Sequence, residues 1–289
     1  MPIMDLSTEV FLGLRSIFFD DAGKPKKFPL REKKNTQDDP LDEFIALQLS
    51  KKLAGINCMK SPGPLISPDL VIYREKECKK ISRKKLRCDS YRIIGIEVKK
   101  LERGESGKIA RASGMDYNTT PPCGTIRIYD LEANPIDIRG FYLFVCLETQ
   151  KNACFISALS LCDGDVLNED FNLYLKIVGK REKEVNLGTY GDGANRNRPM
   201  LIFSNPLGAE QLDRISTLIT KTNLTKIDSR LGLVYQIKRK GFDGKHRIFF
   251  VHQKTEDVDN GVQEIVEPFP QPKTRVTTTQ RRGLFRISI

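Results

Sequence analysis

The feature that most constrains this chain is the run IIGIEVK at residues 93–99, which joins a β-branched segment to two charged residues. Side chains alternate across a strand, so the isoleucines and the valine at every second position share one face. Glu97 and Lys99 then share the opposite face. Burying such charges is costly unless they are paired or bind a metal. The run therefore predicts either a functional pair on a core strand or a strand end that emerges into solvent.

A second apolar run, LVIY at residues 70–73, follows Pro68 and Asp69. If the two runs pair as an antiparallel hairpin, Asp69 begins one arm and Glu97 lies near the end of the other. The two carboxylates would then be side by side. Such a pair suits Mg²⁺, which keeps several waters and also accepts phosphate oxygens as ligands. A lysine beside the pair would orient and stabilise an attacking hydroxide.

These residues give the chain a resemblance to a known group of enzymes. Pro68, Asp69, Glu97, Val98 and Lys99 resemble the motif of the PD-(D/E)xK nuclease superfamily, whose largest group is the type II restriction endonucleases. The resemblance covers about 60 of the 289 residues. It implies a restriction-endonuclease-like core in which Asp69 and Glu97 bind Mg²⁺ and Lys99 assists hydrolysis.

The same resemblance implies a further catalytic carboxylate, since these folds often place a glutamate on a helix before the first motif strand. Glu43 is the candidate here, with an ordinary exposed glutamate as the alternative. An acidic residue two positions before a lysine also occurs at Glu32, Glu77 and Asp243. None of these follows a long β-branched run, so only Glu97 has the strand context that the motif needs.

The rest of the chain predicts an α/β fold with a mixed central β-sheet flanked by helices. Helices are expected at residues 8–19, 41–53 and 208–221. Strands are expected at 70–73, 93–99, 126–129 and 141–147, with 155–161 left ambiguous and a hairpin at 231–240 and 246–253. We expect one nuclease domain at 1–254 and an extended basic C-terminal arm at 255–289.

The charge of the chain favours a polyanionic partner. The net charge is +11, and two segments carry an excess equal to all of it. Residues 74–92 hold nine basic and three acidic residues, and residues 270–289 hold five basic residues and no acidic one. Lysines and arginines that meet phosphates release counterions, so a DNA partner fits. A solvated surface and an unbound tail are the alternatives.

The candidate DNA-binding residues fall into three groups. Residues in the basic run would contact phosphates without reading sequence; they are Lys79, Lys80, Lys84 and Lys85. Two polar loops would approach base edges, where arginine suits guanine and asparagine suits adenine; their candidates are Arg111, Asn118, Thr119, Asn195, Arg196, Asn197 and Arg198. The C-terminal arm would contribute Arg281 and Arg282. For the loops, solvated residues with phosphate contacts at most are the alternative.

Several other classes lack their sequence signals. The chain has two histidines, no zinc-ligand spacing and no phosphate-binding P-loop motif. Seven scattered cysteines favour reduced thiols in a cytosol, and the resemblance implies a bacterial or archaeal cytoplasm. No apolar run approaches the length of a membrane span, and no secretory signal is seen.

The sequence therefore predicts a Mg²⁺-dependent type II restriction endonuclease that cuts double-stranded DNA at a short site as a homodimer. One alternative is a structure-specific repair or recombination nuclease of the same superfamily. The other is a nucleic-acid-binding protein without catalysis, in which Glu97 and Lys99 form a structural ion pair.

Overall fold

The structure is a computed structural model that describes most of the chain. The described residues are 5–35, 38–63, 67–80, 82, 86, 89–103, 107, 109–110, 124–150, 153–166, 210–240, 245–259 and 261–268. Within them the helices are α1 (Leu6–Phe18), α2 (Pro40–Lys52) and the short α3 (Glu75–Cys78). The first six strands are β1 (Lys27–Phe28), β2 (Asn57–Lys60), β3 (Leu70–Tyr73), β4 (Ile93–Arg103), β5 (Ile109–Ala110) and β6 (Thr125–Tyr129). The other six are β7 (Pro135–Gln150), β8 (Ala153–Asp163), β9 (Ser216–Thr220), β10 (Leu231–Lys240), β11 (His246–Lys254) and β12 (Gln263–Pro268).

All twelve of these strands belong to one mixed sheet. Its main order is β12-β10-β11-β9-β8-β7-β4-β3-β2, and β1, β5 and β6 pair with β8, β4 and β7 from outside this path. The pairings β4–β7, β8–β9 and β10–β12 are parallel, and the others are antiparallel. The expected α/β class with a mixed central sheet is confirmed at this level.

The two long helices start where the sequence supplies the right caps. The side chain of Asp5 accepts a hydrogen bond from the backbone N–H of Ser7, and Asp39 does the same for Leu41 at the start of α2. Such caps satisfy backbone donors that the first helical turn leaves unpaired. Pro40 at the first position of α2 costs no hydrogen bond, because that N–H would have none to make.

The main core lies between these helices and one face of the sheet. It joins α1 and α2 to alternating residues of β3, β4, β7 and β8. On β4 the alternation is the predicted one, with Ile94, Ile96 and Val98 buried in this core. Glu97 and Lys99, on the opposite face of β4, are therefore fixed in position, because β4 cannot change register without unpacking the core.

The sheet extends beyond the boundary predicted at residue 254. Arg15 of α1 is 2% exposed and holds Asp257 with two hydrogen bonds, Nε to Oδ2 at 2.8 Å and Nη2 to Oδ1 at 2.6 Å. Beyond this contact β12 pairs with β10. Residues 255–259 are thus held by a buried arginine and residues 263–268 by a strand pairing, within the arm predicted at 255–289. The remainder of that arm, at 269–289, lies outside the described residues.

The helix predicted at residues 208–221 is wrong. The structure has a single 3-10 turn at Glu210–Leu212 and then β9, Ser216–Thr220. All five residues of β9 are buried, between β8 and β11. A strand buried on both faces has no period-two alternation, so its apolar residues also matched a helical pattern. The ambiguous segment at 155–161 lies within β8.

Among the described residues, no helix is both long and apolar enough to cross a membrane.

His252 on β11 predicts a specific dependence of stability on pH. The imidazole is fully buried, and its Nε2 accepts a hydrogen bond from Leu224 N at 3.0 Å while Nδ1 lies 3.2 Å from Leu218 O. Nδ1 therefore carries the proton. A second proton on Nε2 would face the N–H of Leu224 and would have Asn223 Oδ1, at 3.4 Å, as its acceptor. Burial lowers the pKa of His252 to about 4.

We therefore expect the free energy of unfolding to fall as pH drops below about 6.5, by about 2 kcal/mol at pH 5 from this residue alone, because only the unfolded chain binds the proton there. Urea unfolding between pH 4.5 and 7.5 measures it. A His252→Gln variant should lose this slope relative to wild type, whereas His246→Gln, at an exposed position, should keep it. Parallel slopes for wild type and His252→Gln would contradict the assignment.

Candidate active site

The hairpin of β3 and β4 brings the predicted carboxylates together. The two strands are antiparallel, with Leu70 opposite Ile96, so that Asp69 comes next to Glu97. The backbone N–H of Val98 donates a hydrogen bond to Asp69 Oδ2 at 2.7 Å. This bond fixes the first carboxylate against the strand that carries the second.

Gly95 allows this close approach. A Cβ atom at Gly95 would lie 3.1 Å from Cγ of Pro68 and 3.2 Å from side-chain atoms of both Ile126 and Ile138. These contacts are tighter than ordinary packing, so a larger residue would displace its neighbours. Pro68 precedes Asp69 directly, and the glycine therefore lets the carboxylate sit beside β4.

Glu97 is held from two sides. Its side chain is 3% exposed; Oε2 accepts a hydrogen bond from Lys99 Nζ at 3.0 Å, and Oε1 accepts one from the hydroxyl of Ser67. The lysine is 15% exposed. As the alternation predicted, the glutamate and the lysine lie together on one side of the strand.

The carboxylate of Asp69 is more basic than usual, because it is buried and lies near the like charge of Glu97. Burial, the largest cause, and repulsion from the neighbouring Glu97 together raise the pKa of Asp69 to about 6, whereas Lys99 and the bond from Val98 act the other way. Two carboxylates that share a site cannot both ionise freely. A cation between them would remove that cost.

The structure does not bring Glu43 to this pair. Its side chain is 55% exposed on the outer face of α2 and is bound by Arg31, with Nε to Oε2 at 3.0 Å. The residue one position earlier, Asp42, is 6% exposed and lies within electrostatic range of Asp69 and Glu97. Asp42, and not Glu43, is therefore the acidic residue of α2 that interacts electrostatically with the pair.

Asp42 is the most perturbed carboxyl of the group. Burial, the largest cause, and repulsion from Asp69 together raise its pKa to about 7, while Lys60 and Lys99 act to lower it. Its Oδ1 atom is buried and has no hydrogen-bond partner among the described residues. A buried acceptor without a partner is costly, and in a native structure it often marks a place for an ion, a water or a ligand.

The start of α2 is tied to β4 by a contact that sets this geometry. The ammonium group of Lys100 binds the carboxylate of Asp39, which is also the N-cap of α2. Lys100 directly follows Lys99 on the strand. The ion pair therefore holds the first turn of α2, and with it Asp42, beside the acidic hairpin.

The spacing of apolar residues in α2 indicates from the sequence that Asp42 lies on the buried side of the helix. Leu41, Ile45 and Leu49 form the buried stripe, and Asp42 with Ala46 widens it by one position. Glu43 instead heads the exposed stripe at i, i+4 spacing with Leu47. A helical wheel thus separates the two acidic residues, although the motif alone does not.

The predicted DNA-binding residues have different outcomes. Lys79 and Lys80 are exposed and pair with Glu75 at 2.5 Å and Glu77 at 2.6 Å. Both lysines come after the end of β3 that is opposite to Asp69, and this strand of four residues is about 13 Å long. Both stay predictions, with their charges already matched locally. Outside the described residues lie Lys84, Lys85, Arg111, Asn118, Thr119, Asn195, Arg196, Asn197, Arg198, Arg281 and Arg282.

No group of three or more His, Cys, Asp or Glu side chains is arranged as a metal cage in the part of the chain that the structure describes. The donor set is instead the pair Asp69 and Glu97, with Asp42 nearby. That set fits Mg²⁺, which is commonly held by one or two carboxylates together with waters and substrate phosphates.

No protein-family model, no curated protein and no solved structure matches this chain.

The charge on Asp42 should destabilise the metal-free protein. A carboxyl whose folded pKa is raised stabilises the fold while protonated, and this contribution is lost as pH rises from about 4 through about 7. We expect Asp42→Asn to raise the free energy of unfolding at pH 8 in EDTA, by up to about 4 kcal/mol for three pKa units. Thermal and urea unfolding at pH 5 and pH 8 measure it.

Glu43→Gln is the matched control, since it removes the same charge one residue further along but outside the buried group. It should leave the pH dependence between 5 and 8 unchanged. If Asp42→Asn and Glu43→Gln behaved alike at both pH values, Asp42 would not be the buried carboxyl of the site.

Proposed function

We propose that this protein is a Mg²⁺-dependent endonuclease that hydrolyses phosphodiester bonds of double-stranded DNA, acting as a type II restriction enzyme. The observation that carries the proposal is the hairpin that sets Asp69 beside Glu97 with Lys99 on the same glutamate. Asp42, Asp69 and Glu97 have few positive charges to balance them, and the pKa values of Asp42 and Asp69 are raised. These properties support a site that binds a divalent cation.

Each residue has a chemical role in this proposal. Asp69 and Glu97 hold the cation, and Ser67 keeps the glutamate in place. When bound, Mg²⁺ makes a water easier to deprotonate and stabilises charge on the phosphate. The ammonium of Lys99 orients the attacking hydroxide and stabilises negative charge as it develops. Asp42 adds a third carboxylate, in the role that the resemblance gave to Glu43.

Cutting both strands of a duplex favours a homodimer, because a two-fold axis matches a palindromic site. The proposal includes this homodimer and a bacterial or archaeal cytoplasmic setting. Light scattering behind size exclusion measures the oligomeric state directly.

One observation favours a second candidate, a non-catalytic DNA-binding protein. Both oxygens of Glu97 already have partners within the chain, one from Ser67 and one from Lys99. A satisfied buried ion pair can be purely structural. A repair or recombination nuclease with the same site is the other alternative, and it differs in cutting by DNA structure instead of sequence.

The direct test is cleavage of a supercoiled plasmid in Mg²⁺ and in EDTA. We expect discrete fragments with Mg²⁺ and none with EDTA. Lys99→Ala should lower the cleavage rate by about 10²–10³, because one electrostatic group at a transition state is typically worth that much. Asp69→Ala should abolish cleavage. Fragments without discrete ends would favour the structure-specific nuclease.

The structural alternative makes a different prediction for the same proteins. There, Lys99→Ala would leave Glu97 buried and unpaired and would cost about 3–5 kcal/mol of stability. DNA binding would then fall with the fold. A Lys99→Ala protein that melts normally and cuts at the wild-type rate would exclude the catalytic role.

Cation binding has a readout that does not depend on cleavage. A ligand that binds only the folded state at 100 times its Kd stabilises it by about 2.7 kcal/mol. We expect Mg²⁺ or Ca²⁺ to raise the melting temperature of the DNA-free protein, and to do so more strongly as pH rises from 6 to 8. The reason is that Asp69, with a pKa of about 6, and Asp42, with a pKa of about 7, must lose protons to bind.

The control for that titration is Asp69→Asn, which should abolish the shift while keeping the shape of the site. Sodium chloride at matched ionic strength corrects for screening. An equal rise in melting temperature in Asp69→Asn would place cation binding elsewhere on the protein.

A further inference from the structure

The connector between α1 and α2 contains a dense basic segment. Residues 24–34, which we call the basic segment, hold six lysines and arginines and one acidic residue. The basic residues are Lys24, Lys26, Lys27, Arg31, Lys33 and Lys34. This density exceeds that of residues 74–92, which hold nine basic residues in nineteen, and the two basic regions have different surroundings.

The basic segment is fixed to the helix that carries Asp42. The ring of Phe28 stacks on that of Phe44 in α2, with centroids 4.7 Å apart, and it also contacts Phe18 at 5.2 Å. Around it, Lys27 and Phe28 pair with β8 as strand β1. An aromatic cluster and a sheet pairing therefore fix the middle of the segment.

Arg31 and Lys34 fix its second half. Arg31 binds Glu43 through Nε at 3.0 Å and Asp38 through Nη2 at 2.9 Å, and the backbone N–H of Lys34 donates to Asp38 Oδ2 at 2.8 Å. Glu43 and Phe44 immediately follow Asp42. The segment is thus attached to α2 one and two residues from the buried carboxyl of the candidate active site.

Three lysines of this segment have exposed charges without a partner among the described residues, whereas Lys26 donates to Ser16 O at 3.0 Å. Lys27, Lys33 and Lys34 are exposed, and among the described residues none of their ammonium groups makes a hydrogen bond or an ion pair. Lys79 and Lys80, by contrast, are each bound to a glutamate of the short helix α3, which precedes them. The basic segment therefore offers more unmatched positive charge, and it offers it on the connector that leads into α2, the helix of Asp42.

We propose that the basic segment is a DNA-backbone contact surface, with Lys27, Lys33 and Lys34 binding phosphates that flank the one at the active site. Three buried carboxylates repel a polyanion, so DNA can reach them only if positive charge lies close by. The segment supplies that charge on a rigidly held element. The inference rests on the proposed function for the identity of the polyanion.

The test is the salt dependence of binding to a short DNA duplex of random sequence, measured by fluorescence anisotropy in EDTA, where no cleavage occurs. Each phosphate contact contributes about 0.9 to the slope of log affinity against log salt. The triple variant Lys27→Gln, Lys33→Gln, Lys34→Gln should lower that slope by up to about 2.7 units. Its melting temperature should match wild type, because these side chains make no contact that holds the fold.

The matched control is Lys51→Gln, Lys52→Gln, Lys226→Gln, which removes the same charge from exposed lysines elsewhere. Lys51 and Lys52 are at the other end of α2, about 14 Å from Asp42 along the helix axis. We expect its slope to stay near that of wild type. Equal salt slopes for the two triple variants would overturn the proposal. So would a segment variant that loses binding to anionic lipid vesicles and to DNA by the same factor.

The outcomes separate this inference from the proposed function. If the wild-type protein binds duplex DNA through the basic segment but does not cut it in Mg²⁺, the proposed nuclease activity is excluded and the DNA-contact surface is supported. If the wild-type protein cuts DNA but the segment variant keeps the full salt slope, the nuclease activity is supported and the DNA-contact surface is excluded.

Discussion

The antiparallel register of β3 and β4 is the constraint on which the candidate site depends. It sets Leu70 opposite Ile96, and the bond from Val98 N to Asp69 then holds a carboxylate against the strand that carries Glu97. A slip of one residue would turn both apolar stripes to the wrong face and separate the acids. The core that α1 and α2 build against β4 prevents that slip, so packing and chemistry are set by the same alternation of side chains.

The sequence carried enough information to predict that hairpin, because its signal is local. A period-two pattern fixes which side chains share a face, and Pro68 with Asp69 marks where the first strand begins. The helical carboxylate was harder, since its identity depends on which side of α2 meets the core. Two adjacent acids satisfy the motif equally, and only the buried stripe of Leu41, Ile45 and Leu49 distinguishes Asp42 from Glu43.

The remaining differences come from long-range pairing, which no local pattern reveals. Ser216–Thr220 is a strand because β8 and β11 flank it, and its own residues fit a helix as well. Asp257 is held by Arg15, a residue more than 240 positions earlier in the chain, and residues 263–268 are held by pairing with β10. The basic segment likewise becomes significant only through Phe28 and Arg31, which place it against α2.

The buried carboxylates that the proposed function requires also destabilise the metal-free fold. Burial raises the pKa of Asp69 to about 6 and that of Asp42 to about 7, so the metal-free fold tolerates their ionisation poorly near neutral pH. Replacing them would ease that repulsion, as is usual where activity needs a strained, charged site. In the proposed nuclease the same repulsion would oppose DNA, whose phosphates would have to approach these acids. On that proposal, positive charge on the connector between α1 and α2, at Lys27, Lys33 and Lys34, would offset the repulsion. Asp69 and Glu97 could then hold one cation while the connector attracts a polyanion.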